Sequence, residues 1–220
     1  MSTILFDTIK AQRKITNKVI VAFSGGKDSI VTLDLCMRYF DECVPFFMYQ
    51  CPGLSFQEKL LQYYEDRYDT EIMRVPHFEV SNFMRYGTYR DFDLDVPIVS
   101  VTDVYNYVRQ ETGIWWIAAG ERINDSIIRR AMIKNSGSTD VKRGRFYPVS
   151  GWKKGEVLQY IKRKKLKLGE DSRKLGYSFR SLDGKTLSMV KSIYPQDYER
   201  ILALYPLAEA AVKRWEQYGK

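Results

Sequence analysis

The sequence predicts an α/β protein: a doubly wound, mostly parallel sheet followed by a helical C-terminal extension. Three observations carry this. A Val- and Ile-rich run beginning at Val19 passes through two adjacent glycines into apolar residues at helical spacing. Short apolar runs then alternate with helix-like segments as far as Lys134, the pattern of βαβ units and of a parallel sheet covered on both faces. Beyond Trp152 the pattern changes to helices separated by turns.

Taken in order, Ile4 to Lys14 suits a short helix with Leu5, Phe6 and Ile9 inward. The run from Val19 is a buried strand, because β-branched residues fit one. A helix follows with Asp28 and Ser29 at its start and Ile30, Val31, Leu33, Leu35 and Met37 on its buried face. "CVPFFMYQC" (Cys43 to Cys51) is a second strand, and "SFQEKLLQYYEDRY" a helix with Ser55 as cap and Glu58 as its capping-box partner. "EIMRVP" is a third strand ended by Pro76, and His77 to about Ser100 reads as an irregular connection. Thr102 caps a helix to about Thr112. "IWWIAAG" is a fourth strand ending at Gly120, with Trp115 and Trp116 on opposite faces as core residues. A helix covers Ile123 to Lys134. The last segment reads as a helix in "KKGEVLQYIKRKKL", a turn-rich "GYSFRSLDGKTL" and helices split by Pro206. The division expected is an α/β core over residues 1–150 and an extension over 151–220 packed on it.

With 220 residues, 45% of them hydrophobic, the chain can bury one good core and a small appendage. No apolar run reaches membrane-span length and "MSTILFDTIKAQRK" has no signal-peptide core, so the expected location is the cytoplasm and no membrane partner is expected. Cys36, Cys43 and Cys51 form no C-x-x-C pair, from which neither an iron–sulfur cluster nor zinc is expected. Charge is uneven. Residues 1–110 hold 12 Lys and Arg against 15 Asp and Glu, whereas residues 111–220 hold 23 against 12. A basic second half suits an anionic ligand, either a nucleotide or a nucleic acid, or only a solvated surface.

The strand–glycine–helix junction carries the chemistry. Gly25 and Gly26 let the backbone turn and approach a ligand, and the helix start gathers unpaired N–H groups and the positive end of a dipole, which suits phosphate. Walker A fails because Asp28 follows Lys27, and G-x-G-x-x-G fails because the glycines are adjacent. In open α/β sheets ligands bind beyond the carboxyl ends of strands, which puts Ser24–Ser29, Tyr49–Gly53 and Gly120–Arg122 at one rim.

Ser24-Gly25-Gly26-Lys27-Asp28-Ser29 resembles the SGGxDS loop of the PP-loop ATP pyrophosphatases, or adenine nucleotide α-hydrolases. "GERINDSIIR" is similar to the G-x-R-x-x-E-S-x-x-R signature of the phosphoadenosine phosphosulfate (PAPS) reductase and ATP sulfurylase small-subunit branch, through Gly120, Arg122, Ser126 and Arg129, with Asp125 for Glu. "YPVSGWKKGEVLQYI" resembles that branch's P-L-x-x-W-x-x-x-x-V-x-x-Y-I segment, and "GLSFQEKL" its segment after the second strand. The chain departs from the branch in two places. It has no Cys after Cys51, where PAPS reductases carry a catalytic Cys in an E-C-G-x-H tail. It also has Gln50-Cys51-Pro52-Gly53 where the branch shows Asp-Thr-Gly.

The resemblance implies binding of ATP or a sulfonucleotide with magnesium, and adenylyl transfer with release of pyrophosphate. The acceptor would be sulfate, a carboxylate or a nucleobase oxygen. Gly25 and Gly26 would supply N–H groups, Ser24 and Ser29 hydroxyls, and Lys27 charge on the leaving pyrophosphate. Asp28 would hold magnesium. Arg122 and Arg129, two helical turns apart if the segment is helical, would grip phosphate or sulfate oxygens beside Gly120. Lys27, Asp28 and Arg122 are thus the expected catalytic set. Ser126 and Cys51 are weaker candidates, Cys51 as a nucleophile or as a small buried hydrophobe. His77 reads as an end-of-strand polar residue. "KRKKLKL" (Lys162 to Leu168) is either a solvated helix end or a track for a nucleic-acid backbone. Two other readings stand beside this one: a sulfonucleotide-binding relative whose partner supplies thiol or electrons, and a catalytically quiet nucleotide- or nucleic-acid-binding regulator. A homodimer or a partner protein is compatible with each.

Overall fold

Strand β1 (Lys18–Ala22) lies inside a six-stranded sheet, with Val19, Ile20 and Val21 fully buried. That burial on both faces is why the run carries no polar alternation. The computed structural model describes residues 3–219. A 3-10 turn (Thr3–Phe6) and helix α1 (Asp7–Arg13) precede β1, and Ile9 is buried as expected. Helix α2 (Lys27–Tyr39) leads to β2 (Glu42–Tyr49), which pairs in parallel with β1, Val19 opposite Cys43. Helix α3 (Ser55–Tyr68) leads to β3 (Met73–Pro76) at the sheet edge.

Helices α4 (Phe78–Tyr86) and α5 (Val101–Thr112) follow, and then β4 (Ile117–Ala118), which pairs in parallel with β1 on the side away from β2. Helix α6 (Ile127–Ser136) precedes two short strands, β5 (Thr139–Asp140) and β6 (Arg145–Phe146). Strand β6 runs parallel to β4 and β5 is the antiparallel edge, giving the order β3-β2-β1-β4-β6-β5. The sheet is therefore mostly parallel, and its winding reverses between β1 and β4. The crevice at such a reversal is where α/β sheets receive ligands.

The chain divides into two compact units. The first comprises residues up to Phe47 with Leu60–Arg74 and Tyr107–Leu168, and includes helix α7 (Lys154–Lys164). The second comprises Met48–Lys59, Val75–Asn106 and the residues from Gly169. It carries helices α8 (Glu170–Lys174), α9 (Gly184–Ile193), α10 (Pro195–Leu204) and α11 (Ala208–Tyr218), with Pro206 separating the last two. Cys51, Leu54 and Phe56 are buried there among Leu187, Val190, Tyr198, Ile201, Tyr205 and Val212. Residues 151–168 group with the first unit. Among the described residues no helix is long and apolar enough to cross a membrane.

Several elements differ from the sequence reading. The connection after β3 contains α4, whose cap is His77: its Nδ1 accepts from the Glu79 N–H at 3.3 Å, and Gly87 closes the helix at φ +65°. Helix α5 is capped by Ser100 rather than Thr102. The Ser100 hydroxyl accepts from Asp103 N–H (3.3 Å) while the Asp103 carboxylate accepts from Ser100 N–H (2.8 Å), a reciprocal capping box. Ser55 is the first residue of α3 rather than the one before it, and its N–H and hydroxyl both donate to Asp197, at 2.9 and 2.6 Å. The fourth strand is short, and Trp115 is not a core residue. It is 51% exposed, and the Arg109 guanidinium lies 4.1 Å from its ring centroid. Arg109 also donates to the Trp115 carbonyl at 2.9 Å, which fixes this surface stack.

Candidate active site

At the carboxyl end of β1 the chain leaves the sheet through Phe23 and Ser24 and turns at Gly25, whose φ of +71° favours glycine. Gly26 is the N-cap of α2 in extended geometry, and no side chain caps it. The first N–H groups of α2 therefore keep their capacity to bind an anion. Ser29, 4% exposed, ties the turn together: its hydroxyl donates to Gly26 C=O at 2.9 Å and accepts from Ser24 N–H at 3.2 Å and Ser24 Oγ at 3.1 Å. Ser24 and Ser29 thus brace the loop in addition to offering hydroxyls to it.

The carboxyl end of β4 closes against this turn. A Cβ on Gly120 would stand 2.8 Å from Ser29 N and 2.9 Å from Asp28 C, so only glycine lets the two strand ends approach this closely. Two residues on, Arg122 is 5% exposed and bound on two sides. Its Nε lies 2.9 Å from Asp28 Oδ1, and its Nη2 donates to Asp125 Oδ1 at 2.7 Å. The second oxygen of Asp125 accepts from Arg122 N–H at 2.9 Å, so one carboxylate fixes both ends of the residue. Arg122 Nη1 also donates to Trp152 C=O at 3.4 Å. On the other side, Lys27 Nζ meets Asp28 Oδ2 at 2.5 Å. Lys27, Asp28, Arg122 and Asp125 form one alternating chain of charges along the mouth of the loop.

Ser24, Gly25, Gly26, Lys27, Asp28, Ser29, Gly120 and Arg122 are therefore gathered in the first unit. Arg129 stands at the margin, 51% exposed, its Nη1 3.6 Å from Asp125 Oδ2. It does not share a helix face with Arg122, because α6 begins only at Ile127 and Arg122 precedes it in a turn. Ser126 is spent as the cap of α6, accepting from Arg129 N–H at 3.1 Å. Cys51 lies in the second unit at 1% exposure, with its thiol directed at the Pro52 and Arg200 carbonyls (3.9 and 3.8 Å). Burial pushes that thiol up to about 11 and the Cys43 thiol up to about 12, and raises that of Cys36 as well. The geometry gives Cys51 a packing role.

Two carboxylates carry weight that the sequence did not announce. Asp125 was visible only as a motif position, and its pairing with Arg122 is a tertiary fact. Asp34, in the middle of α2 and wholly buried, accepts from Arg38 Nε (2.7 Å), Tyr68 (2.6 Å) and Tyr160 (2.6 Å), which joins α2, α3 and α7. Burial alone would raise its pKa. The bonds from Arg38, Tyr160 and Tyr68 outweigh that and hold it below the usual carboxylate range. This buried bond set anchors the helix whose first turn forms the loop.

A strand–SGGxDS turn–helix at the winding reversal of a mostly parallel sheet defines a PP-loop nucleotide-binding fold. Within that class, residues 18–170 match the model of the phosphoadenosine phosphosulfate reductase domain, more than half of the chain, and the chain belongs to that family. Two solved structures are similar to the chain. The NH3-dependent NAD synthetase from Campylobacter jejuni subsp. jejuni NCTC 11168, in complex with the nitrate ion, is 15% identical with a TM-score of 0.52, over 98% of this chain and 93% of that one. The U34-tRNA thiolase NcsA from Methanococcus maripaludis is 19% identical with a TM-score of 0.49, over 92% of this chain and 79% of that one. No curated protein matches the chain in sequence. The thiolase structure is described with its 4Fe-4S cluster, and the expectation of no iron–sulfur cluster, drawn from cysteine spacing alone, is withdrawn.

Proposed function

We propose that the chain is a PP-loop enzyme that binds ATP at the Gly25–Gly26 turn and transfers its adenylyl group to an acceptor, releasing pyrophosphate. The observation that carries this reading is the charge chain across the loop mouth, Lys27–Asp28–Arg122–Asp125, beside an uncapped helix N-terminus. Backbone N–H groups of the turn and α2 would hold the β- and γ-phosphates. Lys27 and Arg122 would stabilise charge that grows on the leaving pyrophosphate as the acceptor oxygen bonds to the α-phosphorus and the α–β bridge breaks. The fixed fork of Arg122 is suited to two phosphate oxygens at once. Arg129, exposed at the margin, would extend the cationic rim.

Asp28 suits magnesium. Its Oδ1 is buried and, beyond the ion pair with Arg122 Nε, has no hydrogen-bond partner. Magnesium takes one or two carboxylates and shares the rest of its shell with phosphates and water. Among the described residues no group of three or more His, Cys, Asp or Glu could hold a metal by itself, which fits an ion that arrives with the nucleotide. When bound, the ion would neutralise phosphate charge.

ATP is favoured over reductive chemistry on a sulfonucleotide by the state of the thiols. Burial raises the pKa of all three cysteines, so none is a thiolate near neutral pH. The cytoplasm remains the proposed location. The test is calorimetric titration of magnesium–ATP into the wild type, Lys27→Ala and Asp28→Asn, with pyrophosphate release assayed across candidate acceptors. Weakened binding in both variants, with unchanged thermal unfolding, is expected. Undiminished affinity in both would reject the site.

A further inference from the structure

The last turn of α2 and the last turns of α7 bound a cleft of about 290 Å³ lined by Phe6, Arg38, Tyr39, Tyr160, Arg163 and Lys164. Three of the six are cations, three are aromatic and none is acidic. All lie in the first unit. Tyr160 is buried and its hydroxyl is committed to Asp34, and Arg38 is committed to the same carboxylate, so the floor is fixed. Arg163 is exposed, and neither it nor Lys164 has an ion-pair partner among the described residues. Further cations lie beside it along the chain. Lys162, Lys165 and Lys167 are exposed, Lys167 Nζ lies 5.1 Å from the Tyr63 ring centroid, and Arg67 donates to Lys164 C=O at 3.1 Å. The dipoles of helix ends account for a cation or two at each terminus, and they give no reason for tyrosine rings between them.

We propose that this cleft and its basic margin bind the phosphodiester backbone of a single nucleic-acid strand, at a site separate from the glycine turn. Arg163 and Lys164 would contact phosphates, and Tyr39 and Phe6, whose rings stack with centroids 6.4 Å apart, would offer an apolar wall to sugar or base. The volume holds no more than about one nucleotide unit, and the exposed Lys162, Lys165 and Lys167 lie outside its lining. A strand, whose other residues run along the exposed lysines, is therefore favoured over a free mononucleotide. Helix α2 separates the cleft from the turn by roughly 20 Å, the length of its thirteen residues. The inference does not depend on the proposed ATP chemistry, since binding is read without turnover.

The experiment is fluorescence anisotropy with a labelled mixed-sequence strand of about 20 nucleotides, as RNA and as DNA, at ~50 and ~200 mM salt. Wild type is compared with Arg163→Gln/Lys164→Gln, and with Lys134→Gln/Lys142→Gln as a charge-matched control on exposed sites elsewhere in the first unit. The cleft pair should lose affinity on the order of tenfold at low salt, and its slope of log affinity against log salt should fall by about 1.4, two single-strand contacts. The control should lose little, and magnesium–ATP binding should be unchanged in both. Equal losses in the two variants would reduce the effect to net charge and overturn the proposal. Full displacement of the strand by millimolar AMP, or no binding by the wild type, would overturn it as well.

Discussion

Gly120→Ala tests whether the loop geometry matters to ligand binding. An added Cβ would sit 2.8 Å from Ser29 N, 2.9 Å from Asp28 C and 3.1 Å from Ser29 Cα. All three are backbone atoms of the first turn of α2, and none can swing aside as a side-chain end does. Ordinary contact begins near 3.4 Å, so the strand end and the helix start must part by about 0.6 Å. Overpacking of this kind costs ~1–3 kcal/mol, drawn either from the fold or from the loop. A displaced loop carries its N–H groups, Lys27 and Asp28 away from Arg122, so affinity for magnesium–ATP should fall on the order of tenfold, ~1.4 kcal/mol. Calorimetry measures the affinity and thermal unfolding the stability. Gly155→Ala is the control. That glycine is exposed in α7, and a Cβ added there would meet nothing within 4 Å, so the change should stabilise the helix by up to ~1 kcal/mol and leave binding alone. If Gly120→Ala bound ATP as the wild type does at equal stability, the argument that the two strand ends shape one phosphate cradle would fail.

Three further outcomes are expected. Arg122→Lys keeps the charge and loses the fork, which should cost ~1.5–3 kcal/mol of ATP or pyrophosphate binding. Arg129→Ala, at an exposed site, should cost less than ~1 kcal/mol in the same titration, and a larger loss at Arg129 would reverse their proposed ranking. Asp34→Asn should destabilise the fold by ~3 kcal/mol in urea unfolding at neutral pH. Because the folded carboxyl titrates below its unfolded value, this stabilisation is complete above about pH 4 and is lost as pH falls through the folded value, so the gap to the variant should narrow in acid. A gap that stays constant with pH would show that Asp34 acts by shape alone. The purified chain should release no sulfite from PAPS with thioredoxin, and Cys51→Ser should bind ATP unchanged. Sulfite production that the Cys51 variant abolishes would instead make that thiol the nucleophile.

The parts of the fold that were legible are those with a local signal. Val19–Val21 could only be a doubly buried strand, and the glycine pair fixed where it ends. What escaped was decided by contacts distant in sequence or by unusual caps. Helix α4 was hidden because histidine is not a favoured N-cap, although His77 fills the place with its Nδ1. Ser55 was read only as the cap at the start of a helix, and its two bonds to Asp197, 142 residues away, had no signal in the sequence. Strands β5 and β6 hold two residues each in the ladder, too few for any periodicity. Trp115 was assigned to the core as part of a strand, yet that strand holds only Ile117–Ala118 and the ring lies at the surface beneath Arg109.

The site was legible in a different sense. A motif gives residue types at fixed spacing, and every member from Ser24 to Ser29 came with the turn itself. The reason for Gly120 did not come with it, because the contact that excludes a Cβ joins β4 to α2, elements far apart in the chain. Nor did the pairing that gives Arg122 its place. A buried guanidinium needs carboxylates around it, and here Asp28 and Asp125 supply them while Lys27 and Arg129 add cations on either side. The same two aspartates that hold Arg122 in the folded chain are the groups an arriving phosphate would have to compete with. Under the proposed ATP chemistry, nucleotide binding and the exchange of Arg122 between carboxylate and phosphate would be one coupled event, and Asp28, which touches both Lys27 and Arg122, would be the residue on which that exchange turns.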